Sequence, residues 1–433
     1  MAFSTDTRTI QPGDTFVAIR GETHDGHDFV AQAAVRGAVG VVVERAVEVP
    51  EGVTVTHVED SVAYLVAEAQ AKIAAVRPAI VAITGSVGKT TTRAALEAVL
   101  AEAFPVVASE GNRNTPLGLA LLILNRTIAP DTVMVLEMGA RLMGDLKELC
   151  AYFPPTVSVI TNVRGVHVET FGSIEGVQRE KSELVRALDR DGTAILNGDD
   201  PRVRQMAAVN DGRSVYYGTS KDNDLRPALI SADLPLLGDH AVLTALAAYG
   251  AGQALGMTNA QINAGLAKIK PEKGRLNRLR GINGSTLIDD TYNASPDPVR
   301  AALRVLRDHE ASRRIAFLGD MLELGDQEVA QHVEVLNAAV EMADHVHTVG
   351  PRMAKAAASF LDDRRSSVTT HETSAAIAEA INAGTLLVAE GDVALVKGSQ
   401  GMRMERVSEA LLHPDLDAAD HLPRQSTSWK QIP

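Results

Sequence analysis

Ala79-Ile80-Val81-Ala82-Ile83-Thr84-Gly85-Ser86-Val87-Gly88-Lys89-Thr90-Thr91-Thr92 is the stretch from which the rest of the chain can be read. Its first five residues are a short β-branched run of the kind that forms a buried parallel strand. A glycine turn, Gly-Lys-Thr and a helical pattern over Thr91–Glu102 then follow, which are the parts of a phosphate-binding loop. Glycines let backbone N–H groups curl around phosphate oxygens, the helix N-terminus adds partial positive charge, and Lys89 adds a full one. The Thr90 hydroxyl is a ligand for Mg²⁺. The strict motif wants glycine where Ile83 stands, so the loop is shortened. An ordinary glycine-rich strand–helix turn is the competing interpretation.

Outward from this loop the same alternation recurs. Strand-like runs 132–136, 156–160 and 193–196, with helical patterns such as 174–188 between some of them, predict βαβ units and a largely parallel sheet. A later block repeats the pattern, with runs 285–288, 314–318, 345–349 and 393–396 and helices 297–308, 327–342, 351–361 and 373–383. It predicts a second open α/β sheet. Before the loop, short runs around 15–19 and 39–43 flank a helical segment 28–36 and precede an Ala-rich helix 61–76, which ends before Pro78. The expected fold is therefore α/β in three domains. Residues 1–77 form a small N-terminal α/β domain, 78–271 a central P-loop parallel-sheet domain, and 272–433 a C-terminal Rossmann-like α/β domain. The polar end from about Pro414 is expected to be loose.

Composition narrows the function. The hydrophobic share of 45% and charged share of 22% supply several cores and exclude general disorder. Forty-two basic and 55 acidic residues give 42 − 55 = −13, so the surface repels polyanions, nucleic acid included, and a phosphate ligand needs a local site. A single cysteine, Cys150, forms no internal disulfide. The opening residues lack the pattern of a signal peptide, and no apolar run approaches the ~18 residues of a membrane span. A cytoplasmic protein without membrane insertion is expected.

In an open parallel sheet the C-terminal strand ends share one edge, where ligands bind. That edge gathers Lys89 and Thr90, then Glu137 after the run 132–136, and His167 shortly after the run 156–160. A carboxylate and an imidazole there suit Mg²⁺ ions beside a triphosphate. Taken singly, Glu137 is as readily a loop carboxylate and His167 an ordinary polar residue. Their joint placement carries the inference.

These residues, with Leu196-Asn197-Gly198-Asp199-Asp200-Pro201, Asp289-Asp290-Thr291-Tyr292-Asn293-Ala294-Ser295-Pro296 and Gly319-Asp320-Met321-Leu322-Glu323-Leu324-Gly325, resemble the Mur ligases, the ATP-dependent amide-bond ligases that build the peptidoglycan stem peptide. Asp6-Thr7-Arg8, Asp25-Gly26-His27-Asp28-Phe29 and Lys397-Gly398-Ser399-Gln400-Gly401-Met402-Arg403-Met404-Glu405 are similar to the D-alanyl-D-alanine-adding members. The similarity runs in family order from residue 4 to about 412, and the family's own loop is the shortened one. It implies a cytoplasmic enzyme of cell-wall biogenesis, acting as a monomer on UDP-N-acetylmuramoyl-tripeptide, D-Ala-D-Ala and ATP, with two Mg²⁺ ions. It further implies that Gly85, Ser86, Val87, Gly88, Lys89, Thr90 and Thr91 bind ATP, with Arg275 on the γ-phosphate and Asp290 on the ribose. Thr90, Glu137, His167 and Lys181 serve the metal ions. Lys181 falls where the family carries a carbamylated lysine, although a lysine between Glu180 and Glu183 on a helix would by itself read as a solvated residue. Asp6, Thr7 and Arg8 match the element that holds the uridine nucleotide, and Lys397, Ser399 and Arg403 are placed for the dipeptide carboxylate. Bare residues leave each of these open to a plain reading: Arg275 in a linker, Asp290 in a strand-end turn, Asp-Thr-Arg in a turn and the Lys397 segment at a solvated helix start.

Some features depart from the family. Only Thr219 to Asp233 separates Gly218 from Leu234-Pro235-Leu236, so a peripheral β element is expected to be missing. Ala241 stands where an adenine-contacting asparagine is frequent, Asn112-Arg113-Asn114-Thr115 replaces a double-asparagine stretch, and little chain precedes Asp6. The rival interpretations are a diaminopimelate- or lysine-adding Mur ligase and a non-catalytic ATP-binding scaffold. The Lys397–Glu405 segment and the lack of Asp-Asn-Pro-Arg oppose the former.

Overall fold

The computed structural model describes residues 2–21, 24–111, 113–165, 168–359 and 367–430. The described strands form three sheets. In the first, β1 (Phe3–Ser4), β2 (Thr15–Val17), β3 (Gly40–Val43) and β4 (Thr54–His57) run parallel in that order. The second contains β5 (Ala79–Thr84), β6 (Val106–Ala108), β7 (Val133–Glu137), β8 (Val157–Ile160), β9 (Thr193–Asn197) and β10 (Arg213–Tyr217). Its order is β10-β9-β8-β5-β7-β6, parallel throughout. The third is built from β11 (Asn277–Arg280), β12 (Thr286–Asp290), β13 (Arg314–Gly319), β14 (His345–Val349), β15 (Val368–His371) and β16 (Val393–Lys397), in the order β11-β12-β16-β13-β14-β15. Only β11 is antiparallel to its neighbour.

The chain divides into two compact units. One holds residues 1–231 and 245–266 and carries the first two sheets; the other holds 232–244 and 267–433 and carries the third. In the first unit Ile80 and Ala82 pack with Leu119, Leu149 and Leu184 in a core that also takes in Val17 and Val42 of the first sheet. The Phe3 backbone and the Asn125 side-chain amide exchange hydrogen bonds, 2.7 Å in both directions, which fastens the first sheet to helix Pro116–Asn125. The Lys72 ammonium donates to the Ile123 and Arg126 carbonyls at 2.9 and 2.7 Å, capping that helix. In the second unit, alternation along the strands separates two cores. Ile288, Leu318 and Leu395 face helices Pro296–Asp308, Glu328–Met342 and Pro351–Ala358, while Leu287, Phe317 and Val396 face Ser374–Asn382 and Glu405–Leu411.

Helix starts follow capping chemistry. Asp60 accepts from Val62 N and Ala63 N, each at 2.8 Å, to open Ser61–Val76, and Ser173 accepts from Gly176 N to open Ile174–Arg186. The Asp25 carboxylate accepts from His27 N and from the His27 ring, whose other nitrogen accepts from Glu44 N. Between Thr219 and Asp233 no strand is present among the described residues, only an isolated bridge between Tyr217 and Leu225. The short connection is held by Asp199, which accepts from Thr219 N, Ser220 N and Asn223 Nδ2 at 2.6, 3.0 and 2.7 Å.

The chain after Pro414 differs from the expectation drawn from its polarity. Asp417 caps a short helix, Ala418–His421, and Leu422 is 1% exposed within the core beside Val396 and Leu411. A few apolar side chains among polar ones were enough to seat it. Leu422→Ala should therefore lower the stability of the C-terminal unit by about 2–5 kcal/mol, read as an earlier thermal or urea transition; a loose tail would make the change silent.

Candidate active site

The glycine turn lies where the strand order of the central sheet reverses, with β5 between β7 and β8. Helix Lys89–Leu100 begins two residues earlier than its sequence pattern suggests, because Gly88 takes φ +84° and turns the chain directly into it. Lys89 and Thr90 thus occupy the first helical turn. No side chain caps this N-terminus, so its amides and partial positive charge face whatever ligand arrives. A Cβ on Gly85 would fall 1.8 Å from Thr161 Oγ1, so only glycine lets the loop approach the β8 end.

That approach is fixed by hydrogen bonds. Ser86 N donates to Asn162 O (3.0 Å) and Val87 N to Asn162 Oδ1 (3.0 Å), while Thr161 Oγ1 and Asn162 Nδ2 donate to Val87 O (2.7 and 2.9 Å). The 161–164 turn is held in its own right, with Asn197 Nδ2 donating to Thr161 O (2.8 Å) and Val163 N to Asp200 Oδ2 (2.9 Å). Lys89 Nζ donates to Gly85 O at 3.0 Å, which bends its side chain back along the loop. Thr91 follows in the same turn, half-buried.

Thr90 and Glu137 meet. Register places Glu137 beside Ile83, and Thr90 Oγ1 donates to Glu137 Oε2 at 3.0 Å. Glu137 is 4% exposed; Asn114 Nδ2 donates to its other oxygen at 3.2 Å and its own N–H donates to Ser109 Oγ. Among the described residues no cation forms an ion pair with this carboxylate. A buried anion served by neutral donors is poorly compensated unless a cation joins it. Cis oxygen ligands of a Mg²⁺ ion at its usual bond length stand about 2.9 Å apart, and the Thr90–Glu137 pair already has that spacing.

Lys181 is buried, not solvated. It sits on Ile174–Arg186, whose apolar stripe of Val177, Leu184 and Val185 faces the core and carries position 181 inward. No carboxylate among the described residues closes an ion pair with it. Burial, reinforced by the charge of Lys89 and only partly opposed by Glu180, pulls its ammonium down to about 7. The neutral amine is thereby favoured far more than in an exposed lysine. The neighbouring Glu180 carries the N-terminus of helix Asp145–Tyr152, accepting from Gly144 N and Leu146 N at 2.7 and 2.8 Å. His167, expected beside this lysine, lies outside the described residues, as does Asn112.

In the N-terminal sheet region the Asp6 carboxylate pairs with the exposed Arg8 guanidinium at 2.7 Å, and the Thr7 hydroxyl donates to Gln32 Oε1 at 3.0 Å. The Arg8 guanidinium holds Asp6 below the usual carboxylate range against the effect of burial.

The C-terminal unit gathers the remaining candidates. Asp290 ends β12 and Lys397 ends β16, in register, and their side chains form an ion pair at 2.6 Å; both are buried. Lys397 Nζ also donates to Asn293 O at 2.9 Å. Burial pulls this ammonium down and Asp290 opposes it. Beside the pair, burial pushes the Asp289 carboxyl up to about 6 despite hydrogen bonds from Ser408 and Thr291. Ser399 Oγ accepts from Leu322 N and donates to Ala294 O, and Arg403 donates to Glu405 Oε1 at 2.7 Å. Arg275 stands between Gly274 (φ +71°) and Leu276 (φ +50°), its guanidinium 4.1 Å from the Tyr292 ring centroid and its Nε buried without an acceptor. Ala241 is buried.

Sequence patterns assigned no role to Asn114, Ser109, Asn162 or Glu180, which orient the site by holding other groups. Thr90 with Glu137 is brought together as anticipated. Lys181 lies close enough to feel the Lys89 charge without bonding to it.

The chain is similar to known proteins along nearly all of its length. Family models match in succession: the Mur ligase family catalytic domain over residues 2–84, the Mur ligase middle domain over 83–252, and the Mur ligase glutamate ligase domain over 274–400. UDP-N-acetylmuramoyl-tripeptide--D-alanyl-D-alanine ligases of Bacillus subtilis and Escherichia coli K12 are each 32% identical, with 95% of this chain and 93% of the relative covered. A crystal structure of MurF from Acinetobacter baumannii is similar at TM-score 0.83 and 28% identity, covering 94% of this chain and 93% of that one. MurF ligase from Thermotoga maritima in complex with ADP is similar at 0.82 and 28%, covering 94% and 96%.

The buried lysine yields a pH test. Between about 7 and 10.5 the unfolded chain holds a proton on Lys181 that the folded chain has released, so folding stability rises with pH across that window. Denaturation midpoints of wild type should climb through it more steeply than those of Lys181→Met; parallel curves would show that residue 181 does not titrate there.

Proposed function

The chain belongs to the Mur ligase family, and on that premise we propose that it joins D-alanyl-D-alanine to UDP-N-acetylmuramoyl-tripeptide with conversion of ATP to ADP and phosphate. It would work as a cytoplasmic monomer in peptidoglycan precursor synthesis. No described helix is long and apolar enough to cross a membrane. The observation that carries the reading is the buried Glu137 carboxylate, bonded to Thr90 and lacking an ion-pair partner among the described residues, at the uncapped helix start behind Gly85–Lys89.

A carboxylate oxygen is a poor leaving group, so amide formation needs activation. The terminal carboxylate of the tripeptide attacks the γ-phosphorus, ADP departs and an acyl phosphate results. The dipeptide amine then attacks the acyl carbon, phosphate leaves and the nitrogen loses its proton. Gly85, Ser86, Val87, Gly88 and Thr91 line the triphosphate loop, and Lys89, here bonded to Gly85 O, turns its ammonium toward the transferred group. Thr90 and Glu137 would hold one Mg²⁺, and His167 with a carbamylated Lys181 would hold a second. Bound Mg²⁺ supplies neutralisation of charge on the phosphate oxygens. The lowered Lys181 pKa supports the carbamate, because the neutral amine attacks the carbon of CO₂ and releases a proton, leaving an anion in place of a cation. The absence of an ion-pair partner for Arg275 among the described residues supports its assignment to the γ-phosphate, and Asp290, pinned by Lys397, is assigned the ribose hydroxyls. Residues 1–77, with Asp6, Thr7 and Arg8, bind the uridine nucleotide; 78–271 bind ATP; 272–433 contribute Lys397, Ser399 and Arg403 toward the dipeptide.

Lys89→Ala should leave the circular-dichroism spectrum intact while lowering the rate of amide synthesis by at least about 10²-fold. In wild type, phosphate release from ATP should require both the nucleotide-tripeptide and D-Ala-D-Ala. No release even with both present would point to a non-catalytic ATP-binding scaffold, and release only with the shorter nucleotide-dipeptide and free diaminopimelate or lysine to another ligase of the family.

A further inference from the structure

Three arginines converge in the C-terminal unit around one ring and one carboxylate. Arg275 and Arg424 both lie against Tyr292, with guanidinium carbons 4.1 and 5.3 Å from the ring centroid. Glu405, 2% exposed, accepts from Arg403 at 2.7 Å through one oxygen and from Arg424 at 3.1 Å through the other. Arg424 also donates to the carbonyls of Thr291, at 3.0 Å, and Tyr292. Glu405 is thereby shared by two of the cations, and Arg275 forms no ion pair among the described residues.

The same tail segment touches the backbone that carries Arg275. Pro423 packs at Gly274, where an added Cβ would meet its ring at 3.0 Å, and Lys273 Nζ donates to Ala419 O at 2.6 Å. Tyr292 N donates to Gly274 O at 3.1 Å, so the ring and the arginine loop are tied together. Leu276 and Arg424 both stand in the left-handed region, at φ +50° and +58°. Non-glycine residues persist there only when neighbours over-determine them.

We propose that Arg424 is a positioning residue for catalysis: bridging Glu405 to the Thr291 and Tyr292 carbonyls, it fixes the Tyr292 ring on which the Arg275 guanidinium rests. The C-terminal tail is then part of the catalytic apparatus and not a trailing end. This rests on the assignment of Arg275 to the γ-phosphate. A planar guanidinium is needed, because lysine offers one compact ammonium and neither the fork nor the stacking face.

The test uses full-length variants in the complete reaction. Arg424→Ala should lower kcat about tenfold, the scale of a stacked cation contact, with little change in KM for the tripeptide and a native circular-dichroism spectrum. Arg424→Lys should not restore it. Arg275→Ala should be slower still, and Arg275→Ala/Arg424→Ala no slower than Arg275→Ala alone, since the tail acts only through that arginine. Tyr292→Leu, which removes the ring and leaves Arg424 in place, should match Arg424→Ala, and it carries the test even if Arg424→Ala does not fold. Losses that multiply in the double variant, or an unchanged kcat in Arg424→Ala beside a crippled Arg275→Ala, overturn the inference and leave the assignment of Arg275 standing. An undiminished Arg275→Ala overturns both.

Discussion

Strand Ala79–Thr84 lies between two parallel neighbours, and the site depends on the register of that triplet. Ile83 pairs with Glu137 and Thr84 with Ile160, so the turn after Thr84 emerges between a carboxylate and the Thr161-Asn162 turn. A slip by one residue would invert every side chain on the strand and carry Glu137 to the opposite face. Ile80, Val81, Ala82 and Ile83, each no more than 1% exposed, make that slip expensive, because both faces of the strand are packed. The loop can be short for this reason: position comes from the sheet, and glycine is needed only where the chain approaches Thr161 and where it turns into the helix.

What the sequence revealed follows from the same physics. Buried central strands are runs of β-branched and small apolar residues, and β5, β7, β8, β13, β14 and β16 were all legible to within a residue or two. Strands such as Thr54–His57, Asn277–Arg280 and Val368–His371 were not, since they lie at sheet edges with polar or exposed side chains. Helix Pro116–Asn125 was missed because it is apolar on most sides and offers no periodicity. At the site, Thr90 and Glu137 could be joined on paper because each follows a strand in one parallel sheet. The Asp290–Lys397 pair spans 107 residues, and its meeting depends on β12 and β16 being neighbours, which no local pattern states. The interior position of Lys181 was hidden for another reason: flanking glutamates suggested a wet face, whereas Glu180 itself points inward to cap a helix.

Two buried lysines show how one residue type acquires two characters. Lys397 and Lys181 are 2% and 6% exposed, and burial pulls both pKa values down. Lys397 is met by Asp290 and by a carbonyl, so its charge is balanced and it ties together the ends of two strands. Lys181 has the like charge of Lys89 nearby and, among the described residues, no carboxylate bonded to it, so its ammonium is held well below the usual lysine range. In a chain of net charge −13, attraction for a polyanion has to be built locally, as it is at the uncapped helix start that carries Lys89.

The C-terminal cluster applies the same rule with arginine and adds backbone strain. Leu276, Arg403 and Arg424 all take positive φ, at a cost of about 1–2 kcal/mol each in a conformation where glycine would be at ease. Glycine at 403 or 424 would relieve that cost and forfeit that arginine's charge-assisted bond to Glu405. Such bonds are worth about 1.5–3 kcal/mol apiece when formed, and removing one partner would strand a buried carboxylate or guanidinium. The balance favours the strained arginines, with Glu405 enclosed between them. Geometry held by opposing terms of this size settles into one arrangement, which suits a segment that supports the guanidinium of Arg275.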